Sequence, residues 1–329
     1  MRILLIDVDS TIPNLALMKI SAYEKSRGNQ VGFNIDNPDK VYCSIIFDWN
    51  SHKADGLKFL YPHAEIDIGG SGYDLSKKLP PEIDSIEPDY SLYPGCDYDL
   101  GFTTRGCIRS CYFCIVPKKE GAFRINQHPR LFHNPEHKKV MLLDNNILSD
   151  KDWFMVVTEW ILHLKLKVDF NQGLDIRLMD YEIAGRLKEL KPIDYWRFAF
   201  DSLQYTNAVK RGIDILKDVG VNVRARSIWY VYLHDDSQFD DALKRCLILR
   251  DLGVLPYPMF NRHAKRTPRM TALKRWCRPW IFFTTTWEEY NPHQSLLSVQ
   301  KITSQKGSEK MGESITQNMG NIGGGFLYD

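Results

Sequence analysis

The sequence predicts an α/β protein, a partial (β/α)6 barrel preceded by a small Rossmann-like α/β domain. Three observations carry this. From about residue 97 to 261, six apolar or β-branched runs alternate with amphipathic helical segments, and parallel strands need such crossovers. Six strands are too few to close an eight-stranded barrel, so an open one is expected. Residues 1–95 carry their own order of strand, helix, strand and Gly-rich turn, the pattern of a doubly wound unit.

In that first region Arg2–Asp7 reads as an apolar strand and Pro13–Arg27 as a helix opened by proline. Val41–Phe47 is a second strand-like run, and Glu65–Ile68 leads into Gly69-Gly70-Ser71-Gly72. A Pro-containing connector, Leu79–Pro94, closes the region. The core, residues 96–261, has its strand-like runs at Leu100–Thr104, Lys139–Leu143, Lys167–Phe170, Trp196–Phe200, Val223–Leu233 and Val254–Met259.

Helices fill most of the gaps. Lys151–Leu164 carries an apolar stripe of Trp153, Phe154, Val157, Trp160, Ile161 and Leu164 behind a Ser149/Asp150 cap. Tyr181–Leu190 follows Asp180, Thr206–Val219 ends at Gly220, and Gln238–Leu252 runs from a Ser237 cap to Gly253. Residues 262–299 form a basic and aromatic extension. Residues 300–329, rich in Gly, Ser, Lys, Gln and Asn with few apolar side chains, read as a disordered tail.

Composition narrows the function classes. A net charge of +2 over 329 residues gives no global reason for nucleic-acid or membrane binding. No apolar run approaches a membrane span, and MRILLIDVDS lacks the flank and cleavage site of a signal peptide. A cytoplasmic protein without membrane association is expected. Of seven cysteines, Cys43, Cys96, Cys246 and Cys277 are scattered, while Cys107, Cys111 and Cys114 fall together in Gly106-Cys107-Ile108-Arg109-Ser110-Cys111-Tyr112-Phe113-Cys114.

The C-x3-C-x2-C spacing follows the first strand of the core directly. Zinc sites of four ligands usually use two separate pairs, and no second CxxC pair is present. Three close thiolates suit an iron–sulfur cubane with three irons ligated and one open. Two other readings stand beside it: a zinc site completed by Cys96 or a histidine, and three cysteines packed as small hydrophobes.

The C-x3-C-x-aromatic-C loop, with Phe113 at the aromatic position, resembles the signature of the radical S-adenosylmethionine superfamily over about residues 97–261. The resemblance implies a [4Fe–4S] cluster on Cys107, Cys111 and Cys114, whose open iron chelates S-adenosylmethionine, with Phe113 near the adenine. It also implies reductive cleavage to a 5′-deoxyadenosyl radical that modifies a substrate. An electron donor such as flavodoxin or ferredoxin would be required.

Polar residues at the ends of other strands are the further cofactor-binding candidates, because strand C-termini carry the chemistry in barrel folds. Asp144 and Asn146 follow the second strand, where the superfamily often has a Gly-Gly-Glu-like motif that this chain lacks. Asn171, Asp175 and Arg177 follow the third, Asp201 the fourth, and Tyr230 lies on the fifth beside Arg224, Arg226 and Ser227. Each is equally readable as a helix cap or turn former.

Ile115-Val116-Pro117-Lys118-Lys119-Glu120-Gly121 is similar to the stretch after the cluster in methylthiotransferases and cobalamin-type members. Residues 1–95 resemble a shortened B12-binding domain: Ser44 and Gly69-Gly70 match residues that line the nucleotide tail, while the Asp-x-His-x-x-Gly motif is absent. A cobalamin-dependent methyltransferase and a methylthiotransferase-like RNA-modifying enzyme are therefore alternatives, although a Rossmann-like unit kept for packing or substrate binding accounts for the domain more simply. Arg262, Lys265, Arg266, Arg269, Lys274, Arg275 and Arg278, interleaved with Trp276 and Trp280, allow nucleic-acid contacts. The alternative of another class is a non-catalytic binding module with a structural metal site.

Overall fold

The apolar run at the N-terminus buries Ile3, Leu4 and Leu5 in consecutive positions of β1 (Arg2–Asp7). Burial on both faces is what a parallel strand inside an α/β layer requires. Helix α1 (Leu15–Ser26) starts behind Asn14 rather than Pro13: the Asn14 side chain accepts from Leu17 N, and its amide donates to Ser10 and Ser44. With β2 (Gln30–Gly32), β3 (Lys40–Ser44) and β4 (Glu65–Gly69), β1 makes an all-parallel sheet in the order β2-β1-β3-β4. The chain leaves β1 for one side and then crosses to the other. That reversal is the topological switch of a doubly wound sheet.

The computed structural model describes residues 1–290, so the expected tail of 300–329 and residues 291–299 of the extension lie outside the described residues. The chain divides into two compact units, Met1–Gln172 and the chain from Gly173 onward. In the first, Leu17, Met18 and Ile20 of α1 pack in one core with Ile3, Leu5, Ile83, Leu92 and Leu100. Leu92 and Leu100 flank residue 95, so the packing is continuous through that point.

A second parallel sheet in this unit is formed by β5 (Asp99–Gly101), β6 (Lys139–Leu142) and β7 (Lys167–Phe170), in the order β5-β6-β7. The buried Asp99 carboxylate at the head of β5 lies within hydrogen-bond distance of His133 Nδ1 (2.6 Å), His137 Nδ1 (2.9 Å) and Asn134 N (2.9 Å). Helix α2 (Lys151–His163) is capped by Asp150, whose carboxylate accepts from Trp153 N at 2.9 Å. It buries Phe154, Val157 and Ile161, whereas Trp153, Trp160 and Leu164 of the expected stripe stay partly exposed.

The second unit holds β8 (Trp196–Ala199), β9 (Ser227–Leu233) and β10 (Pro256–Phe260), again parallel and in that order. Helices α3 (Tyr181–Glu189), α4 (Thr206–Asp218) and α5 (Phe239–Asp251) alternate with them. Every residue of the central β9 is buried. Pro256 and Pro258, which cannot donate, sit on the terminal strand of this order, where proline is tolerated.

Two sequence expectations are corrected here. Val223–Arg226 is a helical turn, capped by Asn222 accepting from Ala225 N, so the strand starts at Ser227. Helix α5 starts at Phe239 rather than Gln238, and Ser237 belongs to a preceding 3-10 turn in which it donates to Asp235. In the extension, α6 (Pro268–Trp276) buries Met270, Leu273 and Trp276. Among the described residues no helix is long and apolar enough to cross a membrane.

The Gly-rich turn after β4 has a steric reason. Gly70 has φ +100°, and a Cβ there would lie 2.2 Å from the Ile45 carbonyl oxygen. Gly70→Ala is expected to cost on the order of 2 kcal/mol or more, from the positive φ and the forced separation of the two loops. A urea midpoint equal to that of the unaltered protein would contradict this packing.

Candidate functional site

The three clustered cysteines lie in a loop with a closed base. Thr104 and Arg105 pair antiparallel with Ile125 and Arg124. Asn126 adds hydrogen bonds to Thr103 O (2.8 Å) and Phe102 O (3.1 Å). The neck is tight: Gly106 has φ +76°, and a Cβ on it would lie 2.3 Å from the Ala122 carbonyl oxygen. Glycine before Cys107 is thus a requirement of the backbone. Within the loop Cys114 N donates to Cys111 O at 3.0 Å. All three thiols are partly buried and none is in a disulfide. The Phe113 ring meets Tyr112 edge-on, with centroids 5.1 Å apart.

The segment leaving β6 grips this loop. Asp144 is buried and accepts four hydrogen bonds, from the backbone N–H and the hydroxyl of both Thr103 and Thr104. Burial raises its pKa above the ordinary carboxylate value, and those four bonds pull the other way. Asn145 Oδ1 accepts from Gly106 N at 3.0 Å. Asn146 Nδ2 donates to Cys107 Sγ at 3.5 Å, and the same sulfur accepts from Arg109 N at 3.3 Å. Asn171, just past β7, is buried and accepts from Gln172 Nε2 at 3.0 Å.

A charge network holds the neck from the other side. Arg105 reaches Glu120 and Asp84, each at 3.3 Å, and lies 3.8 Å over the Phe102 ring. Asp84 also takes the buried Lys19 ammonium at 3.1 Å. Lys119 donates to Ser71 of the Gly-rich turn. Burial lowers the pKa of Lys19 and of Lys119.

The second unit has its own group. Asp175 accepts from Arg177 N and takes its guanidinium in bidentate fashion, at 2.6 and 2.9 Å, while Arg177 lies 4.6 Å over the Tyr205 ring. Asp201 accepts from Tyr232 N at 3.1 Å. Burial raises its pKa to about 6 despite that bond and the nearby charges of Arg245 and Arg177, with Asp175 adding to the rise. Tyr230 is buried and edge-on to Tyr257, centroids 5.5 Å apart. The expected residues divide between the two units, and the contacts among them include Asn146 to Cys107, Cys114 to Cys111, and Arg177 to Asp175. Cys107, Cys111, Cys114, Phe113, Asp144, Asn146 and Asn171 belong to the first, and Asp175, Arg177, Asp201 and Tyr230 to the second.

Sequence reasoning missed Thr103, Thr104 and Asn145 as partners. Asn145 lies between two residues it singled out, but nothing in the sequence pairs Asp144 with Thr103. Arg224 and Arg226 lie on the helical turn before β9, and Arg224 sits 4.3 Å over the Phe283 ring.

Among the described residues, no group of three or more His, Cys, Asp or Glu side chains is gathered so that it could hold a metal ion. Thiolates around one zinc, at about 2.3 Å each, would crowd to within about 4 Å of one another. The donor chemistry fits an iron–sulfur cluster: three partly buried thiols share one loop, and two N–H groups point at the first sulfur.

In the N-terminal sheet, the residues that resemble those lining a nucleotide tail have partners within the protein. Ser44 is buried against the Asn14 amide, and Gly70 lies against Ile45. The Asp9 carboxylate ties down Ile46 N, Phe47 N and the Asn50 amide. In the basic extension Arg269 pairs with Asp236, and Arg266, Lys274 and Arg278 lie over the rings of Phe260, Tyr257 and Trp280. No protein-family model matches the chain, and no curated protein sequence matches it significantly.

The Asp201 environment has a pH signature. With a folded pKa of about 6 against an ordinary 3.8, the folded protein holds a proton between these values that the unfolded chain has lost. Stability from this group therefore falls as pH rises from 4 to 6. Asp201→Asn keeps the acceptor for Tyr232 N and is expected to flatten that part of the thermal-stability profile. An unchanged slope would contradict the assignment.

Proposed function

We propose that this chain is a cytoplasmic radical S-adenosylmethionine enzyme that modifies a substrate by hydrogen abstraction. The observation that carries the reading is the cysteine loop. Its C-x3-C-x2-C thiols follow a parallel strand, its base is closed by the Thr104–Ile125 pairing, and Cys107 Sγ accepts two N–H hydrogen bonds. β5 to β10, three parallel strands in each unit, match the strand count that a partial (β/α)6 barrel calls for.

When bound, a [4Fe–4S] cluster and S-adenosylmethionine supply one-electron cleavage to methionine and a 5′-deoxyadenosyl radical, with electrons from a flavodoxin- or ferredoxin-like donor. The protein holds and orients these groups, while the radical chemistry belongs to the cofactors. Cys107, Cys111 and Cys114 are the cluster ligands. The backbone at Phe113 offers the adenine contact. Asn171, in the same unit as the cysteine loop, is a polar group for the rest of S-adenosylmethionine. In the second unit, Asp175 and Tyr205 fix the guanidinium of Arg177, a side chain with the geometry to recognise a carboxylate or phosphate.

Purified without oxygen, the protein is expected to carry about four irons and four sulfides per chain. The visible absorbance should disappear when Cys107, Cys111 and Cys114 are replaced by alanine. Dithionite should then drive 5′-deoxyadenosine formation from S-adenosylmethionine in the unaltered protein only. Stoichiometric zinc, with no such cleavage, would overturn the reading.

A further inference from the structure

The run Asp144-Asn145-Asn146 follows β6, where the superfamily resemblance leads one to look for contacts to S-adenosylmethionine. Its hydrogen bonds run elsewhere. Asp144 takes Thr103 and Thr104, Asn145 takes Gly106 N, and Asn146 donates to Cys107 Sγ. Three consecutive side chains therefore engage Thr103 through Cys107 in matching order, like teeth along a rail. Asp144 is engaged by four donors inside a fully buried pocket, which leaves it no role as a ligand-facing carboxylate.

We propose that this run is a clamp on the cysteine loop, and that Asn146 is a positioning residue that sets the reduction potential of the cluster through Cys107. The inference rests on the radical S-adenosylmethionine reading of the site. An N–H directed at a ligand sulfur stabilises the reduced, more negative state of a cluster, and hydrogen bonds to sulfur are among the determinants of its potential. Arg109 N supplies one such bond at 3.3 Å from within the loop. Asn146 supplies the second from a different element, at 3.5 Å, so it can be altered without changing the loop itself. Asp144 and Asn145 have a different part: they fix Thr103, Thr104 and Gly106, so that Cys107 Sγ stays within reach of the Asn146 amide.

The test is a redox titration of the anaerobically reconstituted full-length protein, followed by electron paramagnetic resonance of the reduced cluster. Two variants are compared with the unaltered chain. Asn146→Ala removes the donor. Asn146→Asp keeps the shape and replaces the donor with a charge of the wrong sign. The expected order of potentials is unaltered protein highest, then Asn146→Ala, then Asn146→Asp. At a fixed solution potential the ratio of reduced to oxidised cluster should fall by roughly tenfold in Asn146→Ala, about 59 mV for a one-electron couple. Iron content near that of the unaltered protein in Asn146→Asp would show that the loop still forms.

If both variants bind the cluster and titrate with the unaltered protein, the clamp does not act on the potential and the inference fails while the proposed function stands. If the unaltered protein binds no cluster at all, it is the proposed function that fails.

Discussion

Four donors from Thr103 and Thr104 converge on the buried carboxylate of Asp144. That one interaction joins the exit of β5 to the exit of β6, and the path of the cysteine loop depends on it. A carboxylate hidden from water is costly unless its oxygens are fully hydrogen-bonded. Here the groups that satisfy it belong to the segment that has to be held. The cost of burying the charge is thereby converted into a fixed position for Gly106 and Cys107. Asn145 and Asn146 extend the same grip by one residue each.

The N-terminal sheet takes a definite place in this arrangement. Its switch-point residues are bonded to one another, Asn14 to Ser44 and Asp9 to the backbone after β3. What it offers outward is mechanical: Lys19 of α1 holds Asp84, Asp84 holds Arg105, and Ser71 of its Gly-rich turn receives Lys119. Arg105 and Lys119 bracket the three cysteines in the sequence. The doubly wound N-terminal sheet and its helix thus brace the loop from within the same compact unit.

Much of the fold was legible because its signals are local. Asp150 and Asp180 cap the helices they precede, and Arg2–Asp7 and Lys167–Phe170 have the boundaries that their apolar runs imply. Val223–Arg226 misled because β-branched Val223 continues an apolar run, while Asn222, a good cap, starts a helical turn. In the site, the cysteines and the glycine before them could be read from spacing alone. The roles of Asp144 and Asn146 could not. Their partners lie about forty residues away in sequence, and an acidic or amide side chain at a strand end looks the same whether it faces a ligand or a neighbouring loop. The charge network around Arg105 was hidden for the same reason.

The central claim is that Cys107, Cys111 and Cys114 hold three irons of a four-iron cluster and leave the fourth for S-adenosylmethionine. Mössbauer spectroscopy of the iron-57 protein, with and without S-adenosylmethionine, addresses it most directly. The expected result is a [4Fe–4S] spectrum in which one iron of the four changes its isomer shift when S-adenosylmethionine is added. A spectrum with no cubane, or a cubane whose four irons are indifferent to S-adenosylmethionine, would contradict it.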